Sequence, residues 1–261
     1  MAIWHEVDQS VKQWLKEARN SIVESLEHAL DIQTKSDAND LVTNVDKETE
    51  QFFVKQIKEH YPDHRMMGEE GFGDQVNDLE GVVWIVDPID GTMNFVHQQR
   101  NFFISIGILE DGVGQLGYLY DVILDELYCA SRGKGAFFNE KKIAPLQEGN
   151  INEAVVGFNP ASIHSEQTAR MFIPLVKDIR GARSYGSAAM EFAYVATGRM
   201  DAYISLQLSP WDFAGGKVII EELGGVVTDL QGNPVNMLEK SSILAAKPEL
   251  HKQLLPYFQS R

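Results

Sequence analysis

Two carboxylates lie three residues apart in a segment that continues an apolar run. Residues 84–95 read Trp-Ile-Val-Asp-Pro-Ile-Asp-Gly-Thr-Met-Asn-Phe. We expect the apolar strand to end at Asp87, because Pro88 cannot continue strand pairing and fixes the backbone turn. Asp87 and Asp90 can then project into one volume, which the carbonyl of Ile89 also faces. The segment therefore predicts that three oxygen ligands converge.

The close pair of carboxylates favours a bound cation. Two carboxylates about 4 Å apart repel each other by about 4 kcal/mol at an effective dielectric constant of about 20, and a proton or a cation relieves this repulsion. No His or Cys adjoins the pair, so Mg²⁺ fits these ligands better than zinc does. The alternative interpretation treats Asp87 as an ordinary strand-end residue and Asp90-Gly91 as a hairpin turn.

The residues after the second carboxylate could begin a helix. Gly91, Thr92 and Met93 would present free backbone amides there, and helix N-termini bind anions through such donors and through the helix dipole. A phosphate group could therefore bind at this position. Thr92 could equally be an ordinary N-cap residue.

Two further acidic segments adjoin breaks in predicted structure. Gly-Glu-Glu-Gly at 68–71 follows the apolar Met66-Met67, so one Glu can point from a strand end into the same cleft. Ser-Pro-Trp-Asp at 209–212 opens a helix whose Ala-Gly-Gly at 214–216 would allow close approach to a neighbouring element. Taken alone, acidic pairs usually face solvent, and an Asp near a helix start usually accepts from unpaired amides.

Apolar periodicity indicates which elements position these residues in the first half of the chain. It predicts a long N-terminal helix, a polar break at 34–40, and a second helix that ends at 60–63. Between residues 82 and 142 the spacing of apolar residues changes from that of a helix to that of strands. Glycine-containing turns between these strands predict a largely antiparallel sheet. Its expected strands are Val82–Val86, Phe102–Leu109, Val113–Tyr120 and Glu126–Ala130.

After Asn150 predicted strands and helices alternate. The strands are Ala154–Phe158, Arg180–Tyr185, Asp201–Ser205, Val226–Leu230 and Ile243–Ala246, and the helices lie near Glu166–Val176, from Ser187, over Trp211–Leu223 and after Pro248. This order predicts an α/β (α+β) protein with helices and two sheets in layers. The polar segment Pro145–Asn152 is the candidate seam between an N-terminal α+β half, 1–146, with the metal-binding motifs, and a C-terminal α/β half, 147–261, with the substrate-side helices.

The charge balance excludes two classes of partner. The chain has 261 residues with 23 Lys plus Arg and 38 Asp plus Glu, which gives a formal net charge of -15. Broad binding to nucleic acid or anionic lipid needs a basic surface, so we expect neither partner. With 44% apolar and 23% charged residues, the composition is typical of a folded globular protein.

Location and redox state follow from the N-terminus and the cysteine content. Charged side chains interrupt the first twenty residues, so no apolar stretch of about 7 to 15 residues can form a signal-peptide core. No window approaches the roughly 18 apolar residues of a membrane span. The single cysteine, Cys129, lies in an apolar run and is expected to be buried and inert. These features predict a cytoplasmic protein with no membrane partner.

Five blocks of sequence together resemble the inositol monophosphatase family. They are Asp-Leu-Val-Thr-Asn-Val-Asp at 40–46, Gly-Glu-Glu at 68–70, the segment 84–95, Gly-Ser-Ala-Ala at 186–189 and Trp-Asp-Phe-Ala-Gly-Gly at 211–216. The resemblance spans most of the chain. It implies a layered α-β-α-β-α sandwich of the inositol monophosphatase and fructose-1,6-bisphosphatase type, a homodimer, Mg²⁺-dependent hydrolysis of phosphate monoesters, and inhibition by lithium.

The resemblance also implies two Mg²⁺ ions and a weaker third ion. The first is held by Glu69, Asp87 and the Ile89 carbonyl, the second by Asp87, Asp90 and Asp212, and the third, partly through water, by Asp46. Bound cations reverse the sign of the local field, so an acidic protein can accept an anionic substrate.

The same resemblance implies that Glu69, Thr92 and Asp90 are catalytic residues. Glu69 and the Thr92 hydroxyl would orient a water for in-line attack on phosphorus, while amides near Gly91 and Thr92 would bind the equatorial oxygens. Monoester hydrolysis is so slow without a catalyst that a general base, worth about 10² to 10⁴ in rate, cannot suffice. Metal electrostatics must therefore dominate.

Substrate contacts are expected at the C-terminal half. Ala188 fits the family's substrate-side helix start, and Arg183 could meet a second phosphate or face solvent. Inositol-preferring animal members carry an acidic residue seven positions before the helix-start Asp, where this chain has Ser205. The small-molecule substrate we expect is inositol 1-phosphate. Alternatives are a broader activity on fructose 1,6-bisphosphate or the 2'-phosphate of NADP, and a role as a transcription-complex interaction protein.

Overall fold

The computed structural model describes residues 2–28, 30–34 and 41–259. The predicted polar break at 34–40 lies outside these residues except for Thr34, and so does Asp40, which begins the block 40–46. The described helices are α1 (Ala2–Ser25), α2 (Asn44–His60), α3 (Thr92–Gln98), α4 (Glu166–Asp178), α5 (Ala188–Ala196), α6 (Pro210–Glu222) and α7 (Pro248–Leu254).

The described strands alternate with these helices along the chain. They are β1 (Ile32–Thr34), β2 (Leu41–Thr43), β3 (Arg65–Gly68), β4 (Val82–Asp90), β5 (Phe103–Glu110), β6 (Val113–Asp121), β7 (Glu126–Ser131), β8 (Gly135–Phe138), β9 (Lys141–Lys142), β10 (Val155–Gly157), β11 (Gly181–Arg183), β12 (Ala202–Leu208), β13 (Val226–Thr228) and β14 (Ser241–Ala246). The predicted helices and strands occur in the predicted order, with boundaries that differ by a few residues, and β1, β2, β8 and β9 are strands that were not predicted.

Two sheets organise these strands. The first has seven strands in the order β3-β4-β5-β6-β7-β8-β9; β3 pairs in parallel with β4 and the other neighbours are antiparallel. The second has five strands in the order β11-β10-β12-β14-β13, in which β10 runs parallel to β11 and β12. β1 and β2 form a separate antiparallel pair.

The apolar clusters define five layers, α-β-α-β-α, as predicted. α1 and α2 cover one face of the seven-stranded sheet. α5 and α6 fill the space between the two sheets, and α4 and α7 cover the outer face of the five-stranded sheet. The apolar cluster between the two sheets contains side chains from both halves of the chain, so the halves share one core. The division into 1–146 and 147–261 stays a prediction.

α2 begins where the sequence block at 40–46 ends. The Thr43 hydroxyl accepts from the amides of Val45 and Asp46, and the Asp46 side chain accepts from the Thr43 amide. This capping box fixes the start of α2 and the position of Asp46. The apolar face of α2 then buries Phe53 and Ile57 against the sheet.

β4 continues past the residue at which we expected it to end. It extends to Asp90, and its pairing with β5 shifts register between Asp87 and Asp90. The expectation that Pro88 ends the strand is wrong, because Pro88 lies at this irregularity, where a missing N–H is tolerated. In a regular strand, residues three apart face opposite sides, so the irregularity allows both carboxylates to reach one point.

Cys129 is buried, as predicted, with 7% of its surface exposed. Burial raises the pKa of its thiol to about 11, so the reactive thiolate is scarce at neutral pH. Within the described ranges, no helix combines the length and apolarity needed to cross a bilayer.

Candidate metal centre

Three carboxylates from two elements meet at the end of β4. Asp87 and Asp90 come from β4 and Asp212 from the first turn of α6, and one oxygen of each lies within 4.8 Å of the others. Asp87 and Asp90 are buried, with 1% and 6% of their surfaces exposed. We call Asp87, Asp90 and Asp212 the acidic cluster.

Close packing of α6 against the seven-stranded sheet places Asp212. A Cβ added to Gly215 would lie 2.7 Å from the carbonyl oxygen of Tyr118, so only glycine lets the helix approach the strand this closely. The predicted close approach at 214–216 is confirmed. The Ser209 amide donates to Asp212 Oδ2 at 2.7 Å, which holds the carboxylate at the helix start.

Glu69 lies beside the acidic cluster because of strand register. Gly68 of β3 pairs with Val86 of β4 in parallel, so the residues that follow, Glu69 and Asp87, are neighbours. Their side chains share a hydrogen bond. The sequence-predicted position of Glu69, at a strand end facing the cluster, therefore agrees with the structure.

Burial and mutual repulsion disfavour ionisation of the acidic cluster. Burial raises the pKa of Asp87 and of Asp212 well above the ordinary value, and neighbouring carboxylates raise it further. For Asp90, burial raises the pKa to about 6, although hydrogen bonds from Ser187 and the first turn of α5 oppose the shift. A bound divalent cation favours the ionised forms and would lower these pKa values.

α5 holds Asp90 through its N-terminus. The hydroxyl of Ser187, the N-cap of α5, donates to Asp90. The amides of Ala188 and Ala189 donate to the same carboxylate at 3.2 and 2.8 Å. Sequence reasoning missed these contacts, although the Gly-Ser pair before an apolar helix is a typical N-cap signal.

Gly91 and Thr92 begin α3 next to the cluster. Gly91 is the N-cap with a φ of 93°, so Thr92 is the first helical residue and the alternative in which Thr92 caps the helix is wrong. A Cβ at Gly91 would lie 3.1 Å from that of Ser187, so backbone conformation and packing both favour glycine. The Thr92 hydroxyl lies 3.1 Å from Asp46 Oδ1 and 3.1 Å from the carbonyl oxygen of Ile89.

Asp46 lies beside the acidic cluster rather than within it. Its Oδ2 accepts from the Thr43 amide at 2.9 Å and its Oδ1 accepts from the Thr92 hydroxyl. Burial raises the pKa of Asp46, and the charge of Glu69 adds to the shift. The structure therefore places Asp46 where it orients Thr92, while its role at a third metal stays a prediction.

A cavity of about 270 Å³ adjoins the acidic cluster. Asp90, Asp212, Ala188 and Ser205 line it, whereas Arg183 is not part of the lining. Arg183 is exposed on β11, and its Nη1 donates to the carbonyl of Ala182 at 2.8 Å. The sequence carried no motif for five other polar residues of the lining, which are Asn159, Ser184, Glu191, Tyr203 and Gln207.

A larger cavity, of about 960 Å³, lies between α4 and the C-terminal segment. It includes Glu166 and Tyr257 but no member of the acidic cluster. We place the chemistry at the smaller cavity, because convergent carboxylates with raised pKa values mark a functional site more specifically than volume does.

Known proteins resemble the whole chain. The model of the inositol monophosphatase family matches residues 4–261. The inositol-1-monophosphatase of Bacillus subtilis strain 168 is 54% identical over 256 residues, which covers 97% of each chain.

Two solved structures resemble the fold as well as the sequence. The crystal structure of SaIMPase-II with bound inositol monophosphate is 41% identical, covers 97% of this chain and 95% of that chain, and has a TM-score of 0.89. The crystal structure of an IMPase/NADP phosphatase with Mg²⁺ and phosphate is 28% identical, covers 98% and 96% of the two chains, and has a TM-score of 0.91.

Asp212→Asn is expected to stabilise the protein at high pH when divalent cations are removed. Because folding raises the pKa of Asp212, its ionisation destabilises the folded state as pH rises from the ordinary pKa through the raised one. In EDTA, the Tm of the wild type should fall more steeply than that of Asp212→Asn as the pH rises above about 4, the ordinary pKa of an Asp. We expect a difference of a few degrees, since 1 kcal/mol shifts Tm by about 2 to 4 °C at this chain length.

Differential scanning calorimetry of both proteins measures these curves. Added Mg²⁺ should raise the Tm of the wild type more than that of Asp212→Asn, because a ligand of the folded state stabilises it by mass action. Parallel pH curves, with equal gains on adding Mg²⁺, would contradict the electrostatic description of the cluster.

Proposed function

The chain belongs to the inositol monophosphatase family and is a phosphoric monoester hydrolase, and we propose that it hydrolyses inositol 1-phosphate with Mg²⁺. The observation that carries this proposal is the convergence of Asp87, Asp90 and Asp212 beside a cavity. A phosphate monoester in that cavity places its anionic group next to the point where a cation is most favoured. The match to the Bacillus subtilis enzyme along the whole chain supports the same substrate class.

The chemistry of the donors fits Mg²⁺. The acidic cluster offers carboxylate oxygens only, and Glu69 adds a fourth carboxylate beside Asp87. Hard divalent cations prefer such ligands, whereas zinc sites usually include His or Cys. Burial keeps competing water away from these oxygens and makes the uncompensated charges costly. The same arrangement is therefore unfavourable for a structural role without a cation.

The ions are proposed to lie on the residues that the family resemblance indicates. Glu69, Asp87 and the Ile89 carbonyl would hold one, Asp87, Asp90 and Asp212 would hold another, and Asp46 would contribute to a third. When bound, Mg²⁺ supplies the positive field that stabilises charge on the phosphate and on the leaving alkoxide, and makes a nearby water more acidic. Asp87 is the most deeply buried of the cluster and would contribute to both of the first two sites.

Glu69 and Thr92 are proposed to orient the attacking water. The Thr92 hydroxyl has an acceptor on either side, Asp46 and the Ile89 carbonyl, so its proton is engaged and its lone pairs are free to accept from water. Glu69 provides a second acceptor on the side of Asp87. A water that donates to both groups directs its own lone pair at phosphorus.

The start of α3 is proposed to receive the phosphate oxygens. The first-turn amides of a helix have no acceptor within the helix, and at α3 those of Thr92 and Met93 lie beside the acidic cluster. The left-handed backbone of Gly91 brings the chain from the end of β4 directly into this turn. Donation to the equatorial oxygens stabilises the charge that develops on them in the transition state.

The alcohol part of the substrate is proposed to occupy the cavity beside Ala188 and Ser205. Ser205 is partly buried, and its hydroxyl donates to the carbonyl of Gln207 at 3.2 Å, so the side chain at this position is polar and uncharged. An uncharged side chain here accepts ring hydroxyls and adds no repulsion against a second phosphate. This observation favours a broader activity, on fructose 1,6-bisphosphate or the 2'-phosphate of NADP, as the second candidate. Contact between Arg183 and such a phosphate stays a prediction.

Several expectations stay predictions beside this proposal. They are the homodimer, the cytoplasmic location and the number of ions bound. Membership in the family supports the expected inhibition by lithium. We do not propose the transcription-complex role, because a module that only binds other proteins would not need the acidic cluster.

Asp90→Asn and Asp212→Asn are each expected to lower kcat at least about 100-fold, because each removes a charge that holds the cation. Asp229→Asn is the control, since Asp229 accepts from the backbone amides of Gln231 and Asn233 in a turn outside the cavity lining. Steady-state phosphate release, with and without excess EDTA, measures the effect. Turnover near the wild-type level in EDTA would contradict a Mg²⁺-dependent reaction.

Ser205→Glu is expected to favour inositol 1-phosphate over fructose 1,6-bisphosphate by about 10-fold in kcat/KM. A carboxylate accepts more strongly from ring hydroxyls than a serine does, and it repels a second phosphate. Ser205→Gln is the matched control, because it adds similar bulk without charge. The measurement is the ratio of kcat/KM for inositol 1-phosphate to kcat/KM for fructose 1,6-bisphosphate. An equal change of this ratio in Ser205→Gln would contradict an effect of charge.

A further inference from the structure

The carboxylate of Glu50 is buried and has no part in the mechanism above. Glu50 lies on α2 with none of its surface exposed. Its Oε2 accepts from the Glu70 amide at 2.6 Å, and its Oε1 accepts from the Phe72 amide at 2.7 Å. Both donors belong to residues 68–73, which we call the Glu69 loop. A single buried side chain thus binds this loop through both of its oxygens.

Gly68 shows how closely the loop approaches this carboxylate. A Cβ added to Gly68 would lie 2.5 Å from both Cδ and Oε2 of Glu50, so any larger residue at this position would displace the Glu50 carboxylate. Glu50 therefore contacts the chain immediately before Glu69, at Gly68, and immediately after it, at the Glu70 amide. The backbone of Glu69 is held on both sides by the same group.

The rest of the Glu69 loop has little burial to hold it. The loop contains no helix or strand beyond Gly68, and Gly71 and Phe72 are exposed. A carboxylate acceptor forms stronger hydrogen bonds than a neutral acceptor does, and the two bonds from Glu50 fix the loop at the amides of Glu70 and Phe72. Glu50 is thus a buried anchor of this loop.

α2 connects this anchor to the other group proposed to orient water. Asp46 and Glu50 are four residues apart, so their side chains lie on one face of the helix, and both are fully buried. Asp46 accepts from the Thr92 hydroxyl, while Glu50 holds the Glu69 loop. One helix therefore contacts both the Glu69 loop and Thr92.

We propose that Glu50 is a positioning residue, which fixes Glu69 against Asp87 and thereby sets the affinity of the centre for Mg²⁺. This inference rests on the proposed role of Glu69 as a metal ligand. Groups that orient a ligand without touching the metal typically contribute about 10-fold to 100-fold to metal affinity or activity. Glu50 acts in this way through the backbone of the loop.

Glu50→Gln tests the proposal with a small change of shape. Glutamine offers one acceptor oxygen where two amides donate, so one side of the loop is released. Isothermal titration calorimetry of the full chain with Mg²⁺ should show a dissociation constant raised at least about 10-fold. The Mg²⁺ concentration that half-saturates phosphate release should rise with it.

Glu222→Gln is the matched control. Glu222 also accepts two loop amides, those of Gly133 at 3.0 Å and Gly135 at 2.8 Å, but that loop joins β7 to β8 and carries no residue proposed for the centre. Both variants lose the same kind of contact, so general loosening affects both alike. Only Glu50→Gln should weaken Mg²⁺ binding, and an equal weakening in Glu222→Gln would overturn the proposal.

Gly68→Ala perturbs the same contact from the other side and decides the question if Glu50→Gln fails to fold. It should weaken Mg²⁺ binding in the same direction. The double variant should weaken binding by less than the sum of the two effects, since both act on one contact.

Glu69→Gln separates this inference from the proposed function. If Glu69→Gln weakens Mg²⁺ binding while Glu50→Gln and Gly68→Ala do not, the positioning role is overturned and the function stands. If Glu69→Gln binds Mg²⁺ like the wild type, the ligand role of Glu69 and the positioning role both fail.

Discussion

Several negative charges buried at one point are the constraint on which the rest of this structure depends. The oxygens of Asp87, Asp90 and Asp212 meet within 4.8 Å in an environment that disfavours each charge. A chain selected only for stability would place apolar residues or a single carboxylate there. A bound divalent cation offsets the electrostatic repulsion between these carboxylates. Affinity for the cation and instability without it therefore have the same origin.

The layers of the fold hold the repelling groups together. The register shift in β4 turns two carboxylates toward one point, and the glycine contact between α6 and the sheet brings a third. The N-terminus of α5 supplies the hydrogen bonds that keep Asp90 in place. The register shift lies in the seven-stranded sheet, and the other two features lie in the helical layer that packs on it, so the centre forms only when α5 and α6 pack against this sheet. That dependence links folding of the whole chain to its chemistry.

The acidic motifs themselves could be found from the sequence, because carboxylates beside Pro and Gly at predicted strand and helix ends are local patterns. Asp87 and Asp90 were identified in this way, and the helix at Thr92 followed from the same segment, whereas Glu69 and Asp212 were assigned through the family resemblance. The continuation of β4 through Pro88 could not be predicted, since it depends on pairing with β5. The contacts of Ser187 with Asp90 and of Glu50 with the Glu69 loop were also missed, because they join residues 97 and 20 positions apart. The sequence left open whether Arg183 meets a second phosphate or faces solvent, and only packing shows that it is exposed outside the cavity lining.

The most direct measurement is the anomalous diffraction of crystals soaked in Mn²⁺, which takes oxygen ligands similar to those of Mg²⁺. A cation held by the cluster should give a peak at coordination distance, about 2.1 Å, from oxygens of Asp87, Asp90 and Asp212. Excess Mg²⁺ should displace Mn²⁺ from the site and abolish the peak. Strong peaks elsewhere, with none between these three carboxylates, would contradict the central claim that their repulsion is resolved by a metal ion.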